Sequence, residues 1–341
     1  MKAFISGATG QDGFYLSKFL RDKGYRVYGL VRRSAQSKEV PEGITVVEGD
    51  VTDPRVSDVI SDISPNEIYH LAAMSHVGES FKIPSTTFDI NAKGTLHLLE
   101  GAKRVNAKFY QASTSELFGV SPAPQNEKTL FHPRSPYGVS KLAAYWLTVN
   151  YREAYNLFAC NGILFNHESP LRGENFVTQK IAQGVAKIFH GENYKITLGN
   201  LEAKRDWGHA EDFVRGMWLM LQHSKPDDYV LATGETHSIR DFLTLAFEVI
   251  GIYDWKPYVV TDPKFLRPAE VHELCGDYSK AKETLGWEPE RTVKDIAQEM
   301  VIGAIRAYRR NLDEREAQEN LGSWDMERGQ SGTDDVCRRR G

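Results

Sequence analysis

Cysteine is scarce: Cys160, Cys275 and Cys337 are the only three in 341 residues. They share no metal-ligand spacing, so neither a disulfide framework nor a thiolate metal centre is expected, and a reducing cytoplasm fits best. An apolar leader is lacking too. The chain passes from Met1 and Lys2 straight into AFISG, so no signal peptide is expected. No apolar run reaches the length that spans a bilayer. There is no excess of positive charge either. A formal net charge of −4 argues against a general nucleic-acid surface, while it permits a locally basic pocket for an anionic metabolite.

What is present is the composition of an ordinary globular protein, 41% hydrophobic and 26% charged, long enough for one large α/β unit or two unequal domains. The first half alternates strands with helices. Strand-like runs are KAFISG at the start, RVYGLVR at 26–32, ITVVEGD at 44–50, EIYHLAA at 67–73, AKFYQASTS at 107–115 and FACNGILFN at 158–166. Between the first two, Tyr15, Leu16, Phe19 and Leu20 share a helical face that Gly24 ends. Later, 174–190 and 211–222 read as helices, ITLGN as a short strand and YVLATG as a strand returning to the sheet. SIRDFLTLAFEVIG reads as an amphipathic helix capped by Ser238. The pattern predicts an α/β fold: a Rossmann-type parallel sheet with helices on both faces and a smaller C-terminal substrate-binding domain. The expected division is a cofactor domain over 1–166, a substrate part over 167–315 with segments returning to the sheet, and a polar, mobile tail over 316–341.

GATGQDG follows the first strand, with Gly7, Gly10 and Gly13 spaced for a tight turn, close backbone approach and a helix N-terminus aimed at pyrophosphate. A plain structural turn would need the same glycines. A dinucleotide fold that takes NAD usually ends its second strand on a carboxylate, whereas arginine suits a 2′-phosphate. Here that strand ends Leu30-Val31-Arg32-Arg33, which favours NADP. Asp50, ending strand three, either holds the adenine edge or caps the following helix. Leu71, Ala72 and Ala73 are small apolar groups suited to lie beneath a cofactor or to simple packing.

Tyr137 and Lys141 stand in PYGVSK, just inside a helix opened near Pro136. Four residues apart they share one face. A lysine charge beside the phenol is expected to lower the tyrosine pKa and make Tyr137 an acid/base near neutral pH. Ser113, Thr114, Ser115 and Glu116 lie at the carboxyl end of strand five, the edge where α/β sheets place chemistry. A hydroxyl there can hold an oxygen undergoing oxidation. Glu116 goes further, since oxidation of an alcohol needs no second acid/base; a carboxylate can remove a proton α to a new carbonyl and protonate a departing hydroxyl.

With ATGQDGFYL, LAAMSHV, QASTSELFG, PRSPYGVSKLAAYW, FNHESP, RDWGHAEDFV and GDYSKAKETLGW on the page, the chain resembles the extended short-chain dehydrogenase/reductases, and among them the GDP-mannose 4,6-dehydratase family, over about residues 3–289. The glycines and the Tyr137/Lys141 pair mark the superfamily. STSE with FNHESP and RDWGHA is far more specific. The resemblance implies a redox-neutral cycle on GDP-D-mannose with NADP as cofactor. In it Tyr137 takes the C4 hydroxyl proton, Thr114 holds that oxygen, Lys141 holds the nicotinamide ribose, and Glu116 removes the C5 proton and protonates the leaving C6 hydroxyl. It further implies cofactor contacts by Gln11, Asp12, Val51, His167 and Arg172, and substrate contacts by Ser75, Ser115, Asn166, Val177, Lys180, Arg205, Arg267 and Glu270. Lys180, Arg205 and Arg267 are cations of the kind a diphosphate needs in an acidic chain, or else surface charges. His167 reads as a hydrogen-bonded structural group rather than a metal ligand, because no ligand cluster accompanies it.

Two departures stand out. Between Arg33 and ITVVEGD only SAQSKEVPEG, residues 34–43, remains of an insert that in the family is longer and reaches an adjacent subunit, so a homodimer is expected rather than a tetramer. Met74 stands where the family carries glutamine, and a thioether cannot reproduce the hydrogen bonds of an amide. The competing readings are a GDP-4-keto-6-deoxy-mannose reductase, against which Glu116 argues, another nucleotide-sugar dehydratase or epimerase, and a non-catalytic nucleotide sensor.

Overall fold

Runs such as AFIS and ACNGIL are apolar or small at every position, which suits strands covered on both faces. In the computed structural model, which describes residues 1–35, 39–265, 269 and 271–330, with side chains as far as 314, they form the middle of a parallel sheet. Its first six strands are β1 (Lys2–Ser6), β2 (Arg26–Val31), β3 (Thr45–Glu48), β4 (Glu67–His70), β5 (Lys108–Ala112) and β6 (Ala159–Leu164). Four short strands follow outside it: β7 (Asn166–Glu168), β8 (Ile196–Leu198), β9 (Lys204–Arg205) and β10 (Trp207–His209). Then β11 (Tyr229–Leu231) returns to the sheet, and β12 (His237–Ser238), β13 (Val259–Thr261) and β14 (Glu273–Leu274) complete the small ladders. The sheet order is β11-β6-β5-β4-β1-β2-β3, so the winding reverses between β1 and β4. A ligand crevice is expected beyond the carboxyl ends at that point.

The helices are α1 (Gln11–Asp22), α2 (Val56–Ile63), α3 (Val77–Ser80), α4 (Pro84–Phe88), α5 (Gly94–Val105), α6 (Pro136–Tyr155), α7 (Val177–Phe189), α8 (Ala210–Gln222), α9 (Ile239–Glu248), α10 (Ser279–Leu285) and α11 (Val293–Gln330). Alternate strand residues serve opposite faces. Ala3, Ile5, Val27 and Val31 pack under Leu16 and Leu20 of α1 and Met217 and Leu221 of α8. Phe4, Tyr28, Leu30 and Phe109 pack under Ile60 of α2, Leu98, Leu99 and Ala102 of α5 and Tyr151 of α6. A third core stands apart from the sheet, where Ile181 and Val185 of α7, Phe242 and Phe247 of α9 and Met300 and Val301 of α11 meet Trp207. Each such buried side chain contributes about 2 kcal/mol of transfer free energy.

The strand ends differ from the sequence reading. β4 stops at His70 rather than at 73, and β5 at Ala112 rather than at 115, because the chain leaves the sheet where the site begins. Gly24, at φ 81°, ends the α1 turn, and Ser238 closes a full capping box with Asp241. Of the tail expected from 316, the backbone is helical through Gln330, as its run of good helix formers favours. Residues 331–341 lie outside the described part, as do residues 36–38 of the short loop. Among the described residues no helix is long and apolar enough to cross a membrane.

Candidate active site

The glycine turn is built by contact distances. Gly7 has φ 78°, and a Cβ there would sit 2.8 Å from the Ala72 nitrogen. A Cβ on Gly13 would lie 2.3 Å from the Gly7 carbonyl oxygen, so a side chain there would push α1 off β1. Gly10 caps α1 without a side-chain bond. The first-turn N–H groups therefore face the crevice unanswered by a capping side chain, and with the helix dipole they favour an anion.

The neighbouring side chains turn inward. Gln11 Nε2 donates to the His167 carbonyl at 3.0 Å, and Gln11 Oε1 accepts from Ser169 Oγ at 2.8 Å. Asp12 Oδ2 lies 2.9 Å from His167 Nε2, whose Nδ1 is 2.8 Å from the Phe165 carbonyl. The imidazole stacks on Phe213 at 4.5 Å. With an acceptor at each ring nitrogen, the doubly protonated form fits. Burial opposes that charge, but the Asp12 carboxylate outweighs it and holds the His167 pKa above its ordinary value. For Asp12, burial alone would raise the pKa; the charge and hydrogen bond of His167 reverse the sign and leave it lowered. His167 is thus the hydrogen-bonded structural group the sequence suggested.

Arg32 and Arg33 are exposed beyond β2, and Arg33 Nε stands 3.3 Å from Glu48 Oε1 at the end of β3. Asp50 does not cap the following helix, which begins at Val56; its Oδ1 instead accepts from Thr52 N and Oγ1 at 2.9 and 2.8 Å in the turn after β3. Val51 is buried, its carbonyl 2.9 Å from His97 Nδ1. Leu71, Ala72 and Ala73 are half-buried after β4, and Ser75 is exposed. Asn91, which the sequence reading missed, holds this stretch from a π-helical turn at Asp89–Lys93. It accepts from Met74 N at 2.8 Å and donates to the Met74 carbonyl at 3.2 Å and to Ser140 Oγ at 2.9 Å. The Met74 backbone is therefore fixed whatever its side chain.

Ser135 caps α6 by accepting from Gly138 N at 3.0 Å, and Pro136 takes the first helical position. This places Tyr137 and Lys141 on the face toward β5. Thr114, just past β5, sets its hydroxyl beside the Tyr137 phenol, where it works against the rise that burial gives the phenol pKa, and accepts from Glu116 N at 3.2 Å. Ser115 and Glu116 begin a 3-10 turn whose carbonyl at Glu116 would touch any Cβ on Gly138, at 3.0 Å. Thr114, Glu116, Tyr137 and Lys141 are each 8% exposed or less, so their charges act with little solvent screening.

Burial pushes the Tyr137 phenol up to about 12, the Glu116 carboxylate adding to the rise while Thr114 and Arg172 oppose it. The expectation that Lys141 lowers this phenol is not met. Lys141 Nζ donates to the Ala112 carbonyl at 2.9 Å, and burial brings its own pKa down to about 8. At about 8 it is still largely an ammonium at neutral pH, but it is engaged by the Ala112 carbonyl rather than by the phenol.

On the substrate side, Asn166 opens β7 and Glu168 ends it, buried, accepting from Thr178 Oγ1 at 2.5 Å and pairing with Arg172 Nε at 3.1 Å. Val177 begins α7, with Lys180 one turn on. Arg205 is buried on β9 and donates to the Lys204 carbonyl at 2.7 Å. Next to it, Asp206 accepts from Thr233, Gly234 and Gly276, tying β9 to the ends of β11 and β14. Arg267 and Glu270 lie outside the described residues. Ser80, which accepts from Tyr137 N at 3.2 Å, and Asn91 lie in no quoted motif, while Glu168 and Asp206 stand inside FNHESP and RDWGHA without having been assigned a role.

This arrangement has close counterparts. The profile of the family described as GDP-mannose 4,6 dehydratase matches residues 4–300. The chain is 51% identical to GDP-mannose 4,6 dehydratase 2 of Arabidopsis thaliana, over 88% of this chain and 85% of that protein. It is 47% identical to GDP-mannose 4,6 dehydratase of Homo sapiens, over 91% and 92%. Among solved structures, the UDP-glucose 4-epimerase of Thermotoga maritima with UDP-glucose superimposes with a TM-score of 0.80 at 27% identity, covering 92% of this chain and all of that one. In sequence and in fold, then, this chain belongs to the GDP-mannose 4,6-dehydratase family.

Proposed function

We propose that this enzyme converts GDP-D-mannose into GDP-4-dehydro-6-deoxy-D-mannose and water, with NADP as its recycled cofactor. The observation that carries the reading is the buried trio at the carboxyl edge of β5: a phenol, a hydroxyl beside it, and a carboxylate two residues along from that hydroxyl. A reductase or epimerase has use for the first two; elimination of water needs the third.

The residues present fit a dinucleotide, since the uncapped α1 start suits pyrophosphate, the Gly7 turn admits close backbone approach, and Arg32 and Arg33 beyond β2 suit a 2′-phosphate. When bound, NADP supplies acceptance of hydride from C4 and its return to C6. Thr114 holds the C4 oxygen, and Tyr137, acting as its tyrosinate, takes the hydroxyl proton, which balances the proton later returned to C5. Lys141 serves by holding the ribose rather than by acidifying the phenol; Arg172 is a cation whose charge lowers it. Glu116 removes the C5 proton and delivers it to the departing C6 hydroxyl, and a proton returned to C5 leaves water as the only co-product. Asn166, at the end of the 1–166 part, and Val177, Lys180, Arg205, Arg267 and Glu270, in the 167–315 part, take the GDP moiety, and Ser75 and Ser115 the sugar. Gln11, Asp12, Val51, Leu71, Ala72, Ala73 and His167 shape the cofactor bed.

The chain pairs with itself as a dimer. Phe88 of α4 and Val139 and Trp146 of α6, two helices packed on each other, are 42%, 49% and 55% exposed, an apolar face that a second copy would cover. The test of function is incubation with GDP-mannose and catalytic NADP+, following sugar mass and nicotinamide absorbance together. Loss of one water with no net reduced cofactor is expected; GDP-mannose left intact by folded, cofactor-loaded protein would overturn the reading.

A further inference from the structure

At the start of α7 two cations sit over aromatic rings. The Arg172 guanidinium lies 3.7 Å from the Phe176 ring centroid, and Lys180 Nζ lies 4.0 Å from that of Phe265. They differ in what else holds them. Arg172 faces the Glu168 carboxylate at 3.1 Å, whereas Lys180 has no carboxylate at ion-pair distance among the described residues. The charge that acts on Lys180 is another cation, Lys264, which itself pairs with Asp262 at 2.8 Å.

Phe265 is fixed through its backbone. Its N–H donates to the Asp262 carbonyl at 3.1 Å, and Asp262 N donates to the Leu198 carbonyl at 2.8 Å. Gly199 lets this strap approach, since a Cβ there would lie 2.8 Å from the Phe265 carbonyl oxygen. The ring itself is 44% exposed, so hydrophobic burial does not account for its placement over Lys180.

We propose that Phe265 is a positioning residue for the sugar nucleotide: its ring holds the Lys180 ammonium in place without neutralising it, leaving the charge for the diphosphate. The inference rests on the reading of Lys180 as a diphosphate contact. A carboxylate partner would compete with the phosphates for the same N–H donors, whereas an aromatic face orients the ammonium and leaves donors outward. Ordering a long side chain in advance also reduces the entropy lost when the anion binds.

The test is GDP affinity of the NADP-loaded enzyme, by calorimetry, for wild type, F265L, F265Y, K180M and the F265L/K180M double variant. F265L keeps apolar volume and loses the ring, and is expected to weaken GDP about fivefold, while F265Y stays within about twofold of wild type. In the K180M background F265L is expected to add nothing, and NADP affinity and melting temperature should stay level throughout. Wild-type GDP affinity in F265L, or an equal loss in both backgrounds, would overturn the inference. A K180M enzyme that binds GDP normally would remove Lys180 from nucleotide contact and this inference with it, while turnover of GDP-mannose would still uphold the dehydratase reading.

Discussion

The Thr114 hydroxyl accepts the Glu116 backbone N–H at 3.2 Å and stands beside the Tyr137 phenol, whose pKa it lowers against the effect of burial. Removing it leaves the phenol pushed higher and the substrate oxygen unheld. T114V is expected to lower kcat about 10²-fold with GDP affinity unchanged, measured by steady-state turnover and calorimetry. Full activity in T114V would remove Thr114 from the reaction.

On the proposed mechanism Glu116 serves dehydration and not oxidation. E116Q keeps the side-chain shape and loses the base, so water elimination should fall by about 10³-fold while exchange of the C4 hydrogen with cofactor persists. A variant that loses both together would show that Glu116 serves the first step.

Tyr137 and Lys141 were legible as a pair because spacing on a helix fixes which residues share a face. Their electrostatics were not legible, since Lys141 meets the Ala112 carbonyl, and only the packed structure brings α6 onto the end of β5. The same limit applies to Asp12. Its place in GATGQDG pointed to the cofactor, but its carboxylate turns to His167, 155 residues away. Gly7, Gly10, Gly13 and Ser238 were readable because turns and caps are local. Asn91 and Phe265 act through contacts between distant segments, for which the sequence carries no local signal, and Asp206, though inside RDWGHA, shows its ties to Thr233, Gly234 and Gly276 only in the folded chain.

Lys141 makes the protein less stable than it would be without a buried charge. Its folded pKa of about 8 lies below the ordinary 10.5, so the unfolded chain binds the extra proton between those values and stability rises with pH across that window. K141M is therefore expected to unfold at higher denaturant than wild type at pH 7, by up to about 3 kcal/mol, with the gap closing as pH rises through the window. Activity should be lost in the same variant. A pH-independent gap would place the effect elsewhere.

The Asp12–His167 pair has the opposite sign at its upper limit. The raised His167 pKa gives stability that is full below the ordinary 6.5 and lost as pH rises through the folded value. The lowered Asp12 pKa gives stability present above the ordinary 3.8 and lost as pH falls through its folded value. D12N should cost about 2 kcal/mol near pH 6, Asp12 being partly exposed, and less at pH 9. Urea titrations at the two pH values check this.

Arg32 and Arg33 bear on cofactor choice. R33A should weaken NADP about tenfold and leave NAD binding within a factor of about two, because only the 2′-phosphate loses a charged partner. Equal losses for both cofactors would mean that Arg33 contacts something they share.

On the proposed mechanism hydride leaves C4 and returns to C6 of the same sugar. The most direct test is GDP-mannose deuterated at C4, turned over with catalytic unlabelled NADP+ and followed by mass spectrometry and NMR of the product. The account predicts deuterium at C6 of the 4-keto-6-deoxy product in each turnover. Deuterium lost to the medium or accumulated in the cofactor, with an unlabelled C6, would contradict it.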